Sequence, residues 1–175
     1  MKLTTPRLTL RAPEEADATL LRDYFVRNAE RFAPWEPRRS ERVDDHRVWI
    51  AAHRGHSSTS DPIAFLAFEK DGNQLVAAIE LDSFSRDRPL AASINYTVDA
   101  TYEGRGFASE AVRAVAAHAF DVLKLDILSA YYHPNNLRSE RLLGRAGFTT
   151  VARTDVIPGF ERLMRPTVLA QRRAR

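Results

Sequence analysis

Apolar and polar residues alternate along residues 7–13, RLTLRAP, which puts Leu8, Leu10 and Ala12 on one side. That period of two predicts a half-buried strand ended by Pro13. Over residues 14–28 the period lengthens: Leu20, Leu21, Tyr24 and Phe25 recur at helical spacing, with acids near the start, where a helix dipole favours them. Residues 32–40, FAPWEPRRS, break this pattern with two prolines around Trp35 and Glu36, and residues 44–53, DDHRVWIAAH, resume it. Two helices joined by a loop are expected here.

From residue 62 the period returns to strand values. Residues 62–70 (PIAFLAFEK), 75–84 (LVAAIELDSF) and 90–99 (LAASINYTVD) are apolar runs separated by the turn-forming sequences DGNQ and SRDRP. Links this short predict an antiparallel meander. A helix over residues 108–123, a strand over 126–133, a short helix over 136–146 and a last strand starting near residue 147 follow, with Gly147 placed as the C-terminal cap of the short helix. The order strand, helix pair, three strands, helix, strand, helix, strand predicts a mixed α/β (α+β) fold built on one central sheet.

A chain of 175 residues with 44% hydrophobic content suits one domain with a single sizeable core, expected over residues 1–165, followed by a basic tail over 166–175. With no cysteine there are neither disulfides nor thiolate metal sites, and the opening residues contain no apolar run of signal-peptide or membrane-spanning length. A cytoplasmic protein is expected. The net charge of +3 is carried almost wholly by arginines scattered among acids, so no stripe for direct nucleic-acid binding is expected. His53 and His56 lack a third ligand nearby, and no metal is expected.

The chemistry concentrates in residues 101–112, TYEGRGFASEAV, where Gly104, Arg105 and Gly106 separate a strand from a helix. The first backbone N–H groups of that helix lack intrahelical partners, and glycines at 104 and 106 permit positive φ and close approach of an anion. A pyrophosphate cradle is one reading and a tight turn without ligand is the other. A nucleotide P-loop would need Gly-Lys-Ser/Thr where Gly-Phe-Ala stands, and a dinucleotide fingerprint would need a third glycine where Ser109 stands.

The segments YEGRGFASEA and NNLRSERLLGRAGF, with the opening LTTPRLTLRAPEEADA, resemble the GNAT superfamily of acetyl-CoA-dependent N-acetyltransferases. Within it the chain is similar to the RimJ/RimL branch, which acetylates the N-terminal amine of ribosomal proteins, and FAPWEP supports that branch. The resemblance implies a mostly antiparallel sheet flanked by helices, with strands 93–98 and 127–133 splayed at the acetyl-CoA site. It places the pyrophosphate loop on Glu103, Gly104, Arg105, Gly106, Phe107 and Ala108, continuing into Ser109. It also places Tyr96 and Val98 beside the pantetheine arm and Asn136 against coenzyme A, where Asn136 also fits as a helix N-cap. Glu103 departs from the family pattern, which has a neutral or basic residue there.

Two groups common in the family are absent: Ser93 stands where a glutamate is usual, and Leu143 where a tyrosine is. Ser139 is then the candidate for protonating the thiolate, with Glu80 or Glu161, or a water held by one of them, as base. Trp35 and Glu36 are candidates for binding the acceptor. An α-amine of pKa ~8 costs roughly 1.4 kcal/mol to free at pH 7 and a lysine amine nearly 5 kcal/mol, so a site with a weak base suits a protein N-terminus. A small amine (amino acid, polyamine or antibiotic) and a catalytically weak acyl-CoA-binding protein are the alternatives. No membrane partner is expected, and the chain is expected as a monomer or a homodimer.

Overall fold

Short-linked antiparallel strands carry most of the sheet. The computed structural model describes residues 1–53, 61–85, 87–154 and 166–174. In chain order its elements are β1 (Lys2–Thr4), β2 (Leu8–Arg11), α1 (Ala18–Arg27), α2 (Ala29–Phe32), α3 (Val43–Ala52), β3 (Ile63–Glu69), β4 (Leu75–Asp82), β5 (Ala91–Val98), α4 (Phe107–Asp121), β6 (Ile127–Tyr132), α5 (Leu137–Arg145), β7 (Thr149–Thr154) and β8 (Thr167–Arg173). The strands form one eight-stranded sheet in the order β1-β2-β3-β4-β5-β6-β8-β7. The expected meander is β3-β4-β5, and the expected last strand is β7.

Both faces of the sheet are covered, so β3 is buried on alternate sides. Phe65 and Ala67 join a core with α4 and α5, whereas Leu66 and Phe68 join a second core with Leu21, Tyr24 and Phe25 of α1 and Ile50 of α3. A polar seam bolts α1 to the end of β5: the Tyr24 hydroxyl donates to Thr97 Oγ1 at 3.0 Å, and Arg27 Nε and Asn28 Nδ2 donate to Asp99 at 2.7 and 3.1 Å. Among the described residues no helix is long and apolar enough to cross a membrane.

The structure differs from the sequence expectation at both ends. Residues 2–4, too short to show a period, form β1 against β2. Residues 167–173, expected as part of a basic tail, form β8 between β6 and β7. The apolar side of that strand, Val168 and Ala170, is nearly fully buried, and Arg172 lays its guanidinium over Phe120 while donating to the Ala146 carbonyl at 3.1 Å. The arginine cluster of the sequence hid a strand whose own period is two.

Gly147 caps α5 as expected. With φ of +86° it lets the Gly147 N–H reach the Gly144 carbonyl and the Phe148 N–H reach that of Leu143, at 3.1 and 3.0 Å. This is the paired-bond Schellman ending, and Leu143 and Phe148 bury together in the core beneath it.

Candidate functional site

Among the described residues β5 and β6 form the one parallel pair, and the sheet opens where that pair gives out. β5 and β6 are in register only at Ala91↔Ile127, Ala92↔Leu128 and Ser93↔Ser129, and beyond that rung the two strands part. The opening is the apex of a cleft of about 1040 Å³ that runs to the loop after β5.

The loop has the geometry its glycines predict. Gly104 and Gly106 have φ of +70° and +82°, and Gly106 is the N-cap of α4. The first helical bond there runs from the Glu110 N–H to the Gly106 carbonyl at 3.1 Å, which leaves the N–H groups of Phe107, Ala108 and Ser109 ahead of it without helical acceptors. Gly104, Gly106, Ala108 and Ser109 line the cleft. Arg7, arriving from the β1–β2 turn, braces this corner: its Nη1 donates to the Arg105 carbonyl at 3.0 Å, its Nε to Glu110 at 2.7 Å, and its guanidinium lies 4.0 Å from the Phe107 ring centroid.

The side chains of Arg105 and Phe107 turn away from the cleft, so any part they play in the loop falls to their backbone. Phe107 is buried edge-on to Tyr102 in the core, and Arg105 lies over the Tyr102 and Phe107 rings, and neither lines the cleft. Glu103 does line it, as a strut between helices. Its carboxylate pairs with Arg31 of α2 and with Arg138 of α5, the latter at 3.2 Å, so its charge beside the loop is compensated.

Tyr96, Val98 and Asn136 also line the cleft. Asn136 is also the N-cap of α5, its Oδ1 accepting from the Ser139 N–H at 3.1 Å. That cap holds Ser139 on the first turn, where Ser139 Oγ and the Tyr96 hydroxyl share a hydrogen bond of 2.7 Å. Burial pushes the Tyr96 phenol above its ordinary value, so Tyr96 keeps its proton. The phenol facing Ser139 therefore comes from β5, while Leu143, one turn further along α5, is buried in the core.

Across the sheet lies a second chamber of the same cleft, walled by Phe32, Trp35, Glu36 and Arg39 from α2 and the loop after it, and by Glu80, Asp82 and Asn95 from β4 and β5. Trp35 and His133 rings approach to 5.9 Å across its mouth. Glu80 is on the wall as expected, but its carboxylate is held, with Oε1 3.1 Å from Arg39 Nη2 and Oε2 3.4 Å from His53 Nε2. Burial pushes this carboxyl up, and the His53 and Arg39 contacts outweigh burial and hold it below its ordinary value. His53, whose Nδ1 bonds the Trp49 carbonyl, is correspondingly raised against its own burial. His56 and Glu161 lie outside the described residues.

Three contributors were not among the residues expected from the sequence: the Arg7 brace, the Arg31–Glu103–Arg138 strut, and Asp82. The first two join residues too far apart in the chain for local pattern. For Asp82 the signal was present, since AIELD at period two sets Asp82 on the same face as Glu80.

A model of the acetyltransferase (GNAT) domain matches residues 7–149. The chain is 29% identical over 152 residues to a ribosomal protein uS5-alanine N-acetyltransferase of Escherichia coli (strain K12), covering 85% of this chain and 78% of that protein. Among solved structures, a ribosomal-protein-S5-alanine acetyltransferase of Vibrio fischeri superposes with a TM-score of 0.85 at 21% identity, over 99% of this chain and 96% of that one. RimJ of Mycobacterium smegmatis in complex with CoA-disulfide also gives 0.85, at 20% identity over 99% and 86% of the two chains. At such identities these two likenesses are likenesses of fold.

Proposed function

Because the chain belongs to the acetyltransferase (GNAT) domain family, we propose that it transfers the acetyl group of acetyl-CoA to the N-terminal α-amine of a protein, a ribosomal protein first among candidates. The observation that carries this reading is the cleft itself, which joins an anion-ready loop on one side of the sheet to an acid-lined chamber on the other through the gap between β5 and β6. The relative named as a uS5-alanine N-acetyltransferase supports the acceptor class.

The residues present fit the coenzyme. The N–H groups of Phe107, Ala108 and Ser109, at a helix N-terminus behind two positive-φ glycines, suit a pyrophosphate, and the unpaired inner edges of β5 and β6 beyond Ser93 suit an amide-bearing arm. When bound, acetyl-CoA supplies an activated thioester. Ser139 then stands to protonate the departing thiolate, with the Tyr96 hydroxyl orienting it and able to pass a proton on. Asn136 holds Ser139 in place through its cap bond. Glu80, tied to Arg39 and His53, fits as the anchor of the acceptor chamber wall, while Trp35 and Glu36 form its opposite side.

Thiol release from acetyl-CoA, followed with a thiol reagent, tests the reading with peptides beginning Ala or Ser beside a panel of small amines. Turnover on the peptides is expected. Turnover on small amines alone would move the protein to the small-amine class, and coenzyme A binding without turnover on any amine would make it a binding protein.

A further inference from the structure

We propose that Asp82 is the general base of this acetyl transfer, taking the proton of the attacking amine at the apex of the cleft. The inference rests on the transfer reading above and adds to it the residue that accepts the proton.

Register fixes the position. Asp82 pairs with Ser93 across the β4–β5 ladder, and Ser93 pairs with Ser129 on the last rung before β5 and β6 separate. Asp82, Ser93 and Ser129 thus share one row at the apex, and all three line the cleft. Alternation then fixes the face. Ala78 packs against α1, and Glu80 and Asp82 follow it at period two, so Asp82 faces the acceptor chamber. Tyr96 belongs to the opposite set of β5 residues and meets Ser139 of α5 on the other face. A thioester lying in the opening between the strands would have the Asp82 carboxylate on one side and the Ser139–Tyr96 pair on the other. That arrangement lets an amine enter from one face while the thiolate departs toward the other.

Glu36 stands on the opposite wall, outside the apex row, and chemistry separates Asp82 from the two remaining carboxylates, Glu80 and Glu103. Glu103 is paired with two arginines and Glu80 with Arg39 and His53. Asp82 is held by neutral donors, the Asn95 amide at 2.9 Å and the Ser83 hydroxyl. Its charged surroundings are Glu80 on its own strand, His53 at the end of α3, and Arg39, which reaches Glu80 from the loop before α3. Burial, with the Glu80 charge added, raises the Asp82 carboxyl above its ordinary value in spite of those hydrogen bonds and the His53 charge. A carboxylate of raised basicity, with no ion-pair partner among the described residues, is equipped to accept a proton.

The step balances. The neutral amine nitrogen forms a bond to the thioester carbon, and its N–H, made acidic by that bond, passes its proton to Asp82. The carbonyl re-forms as the C–S bond breaks, and the thiolate takes a proton from Ser139, which Tyr96 or solvent replaces. Asp82 returns its proton to solvent, giving one amide and one thiol from one amine and one thioester.

The test compares wild type, Asp82→Asn and Asp82→Glu by kcat and KM for acetyl-CoA and acceptor over a range of pH, using whichever amine the wild type acetylates. Asp82→Asn is expected to lower kcat on the order of 100-fold or more. Both KM values should stay within about threefold. The carboxyl titration in the acidic limb of the wild-type kcat profile should disappear, leaving only the limb set by deprotonation of the amine itself, and Asp82→Glu should restore part of the rate. Thermal unfolding serves as the fold control: the amide removes a half-buried charge beside Glu80, so the variant should melt no lower than wild type. An unchanged kcat, or a raised acceptor KM with kcat intact, overturns the assignment of Asp82 while leaving the transfer reading standing. No turnover of wild type on any amine would instead sink the transfer reading, and this role with it.

Discussion

Glu80 and Glu103 show how far a residue's neighbours can lie from anything local pattern reveals. An acid alternating outward on a strand is ordinarily solvated, yet Glu80 is only 15% exposed and its partner Arg39 is 41 positions away in the chain. Its folded pKa is depressed, so its contribution to stability is present above the ordinary carboxyl value of 4.5 and is lost as pH falls through the folded value. The folded pKa of His53 is raised, so its share is complete below the ordinary 6.5 and fades as pH rises through the folded value. The pair is therefore strongest between those two ordinary values. Glu80→Gln should cost roughly 1 to 3 kcal/mol near pH 5.5, read by denaturant unfolding, with the deficit narrowing below pH 4. Equal stabilities at pH 5.5 would show the contact to be inert.

Among the elements, the glycine loop and α4 were the most legible. The residues on either side switch period abruptly, and positive φ at Gly104 and Gly106 is what such a junction requires. Gly106→Ala tests that requirement. An added Cβ would meet only Arg7 Nη2 at 3.5 Å, so any cost comes from the left-handed φ of +82° and amounts to about 1–2 kcal/mol. The expected outcome is a rise of roughly tenfold in the dissociation constant for coenzyme A, measured by calorimetry, as the N–H groups at the start of α4 lose their alignment. Unchanged affinity would argue against the loop as the anion cradle. The Arg7 brace could not be read beforehand, because the β1–β2 turn and α4 are joined by contacts about a hundred residues apart. The short helix α2 was hidden for another reason: its four residues run into the proline-rich loop before a period can be seen.

For the whole molecule, the sequence pattern identified the meander and the order of helices and strands around it, the family resemblance implied the flanking helices, and strand order beyond β6 depended on long-range pairing. β8 is the clearest case. Its basic composition suggested a tail, but it fills the place between β6 and β7 and buries Val168 and Ala170. Removing residues 166–175 should leave β6 without an antiparallel neighbour and β7 detached. Circular dichroism during heating is expected to show loss of the cooperative transition, whereas a truncated chain that melts cooperatively at the wild-type temperature would mean that β8 is dispensable. The cleft also belongs to this scale, since its apex exists only because β5 and β6 pair for three rungs and then part.

The most direct measurement is a competition between two amines. Wild-type protein and limiting acetyl-CoA are given equal concentrations of an Ala-initiated peptide with no lysine and an N-blocked peptide with one lysine, and the acetylated products are counted by mass spectrometry. The difference in deprotonation cost between the two amines, roughly 3 kcal/mol at pH 7, alone favours the α-amine by more than about a hundredfold. Acetylation confined to the Ala-initiated peptide is the predicted result, and equal or greater acetylation of the lysine would contradict the assignment of this cleft to protein N-termini.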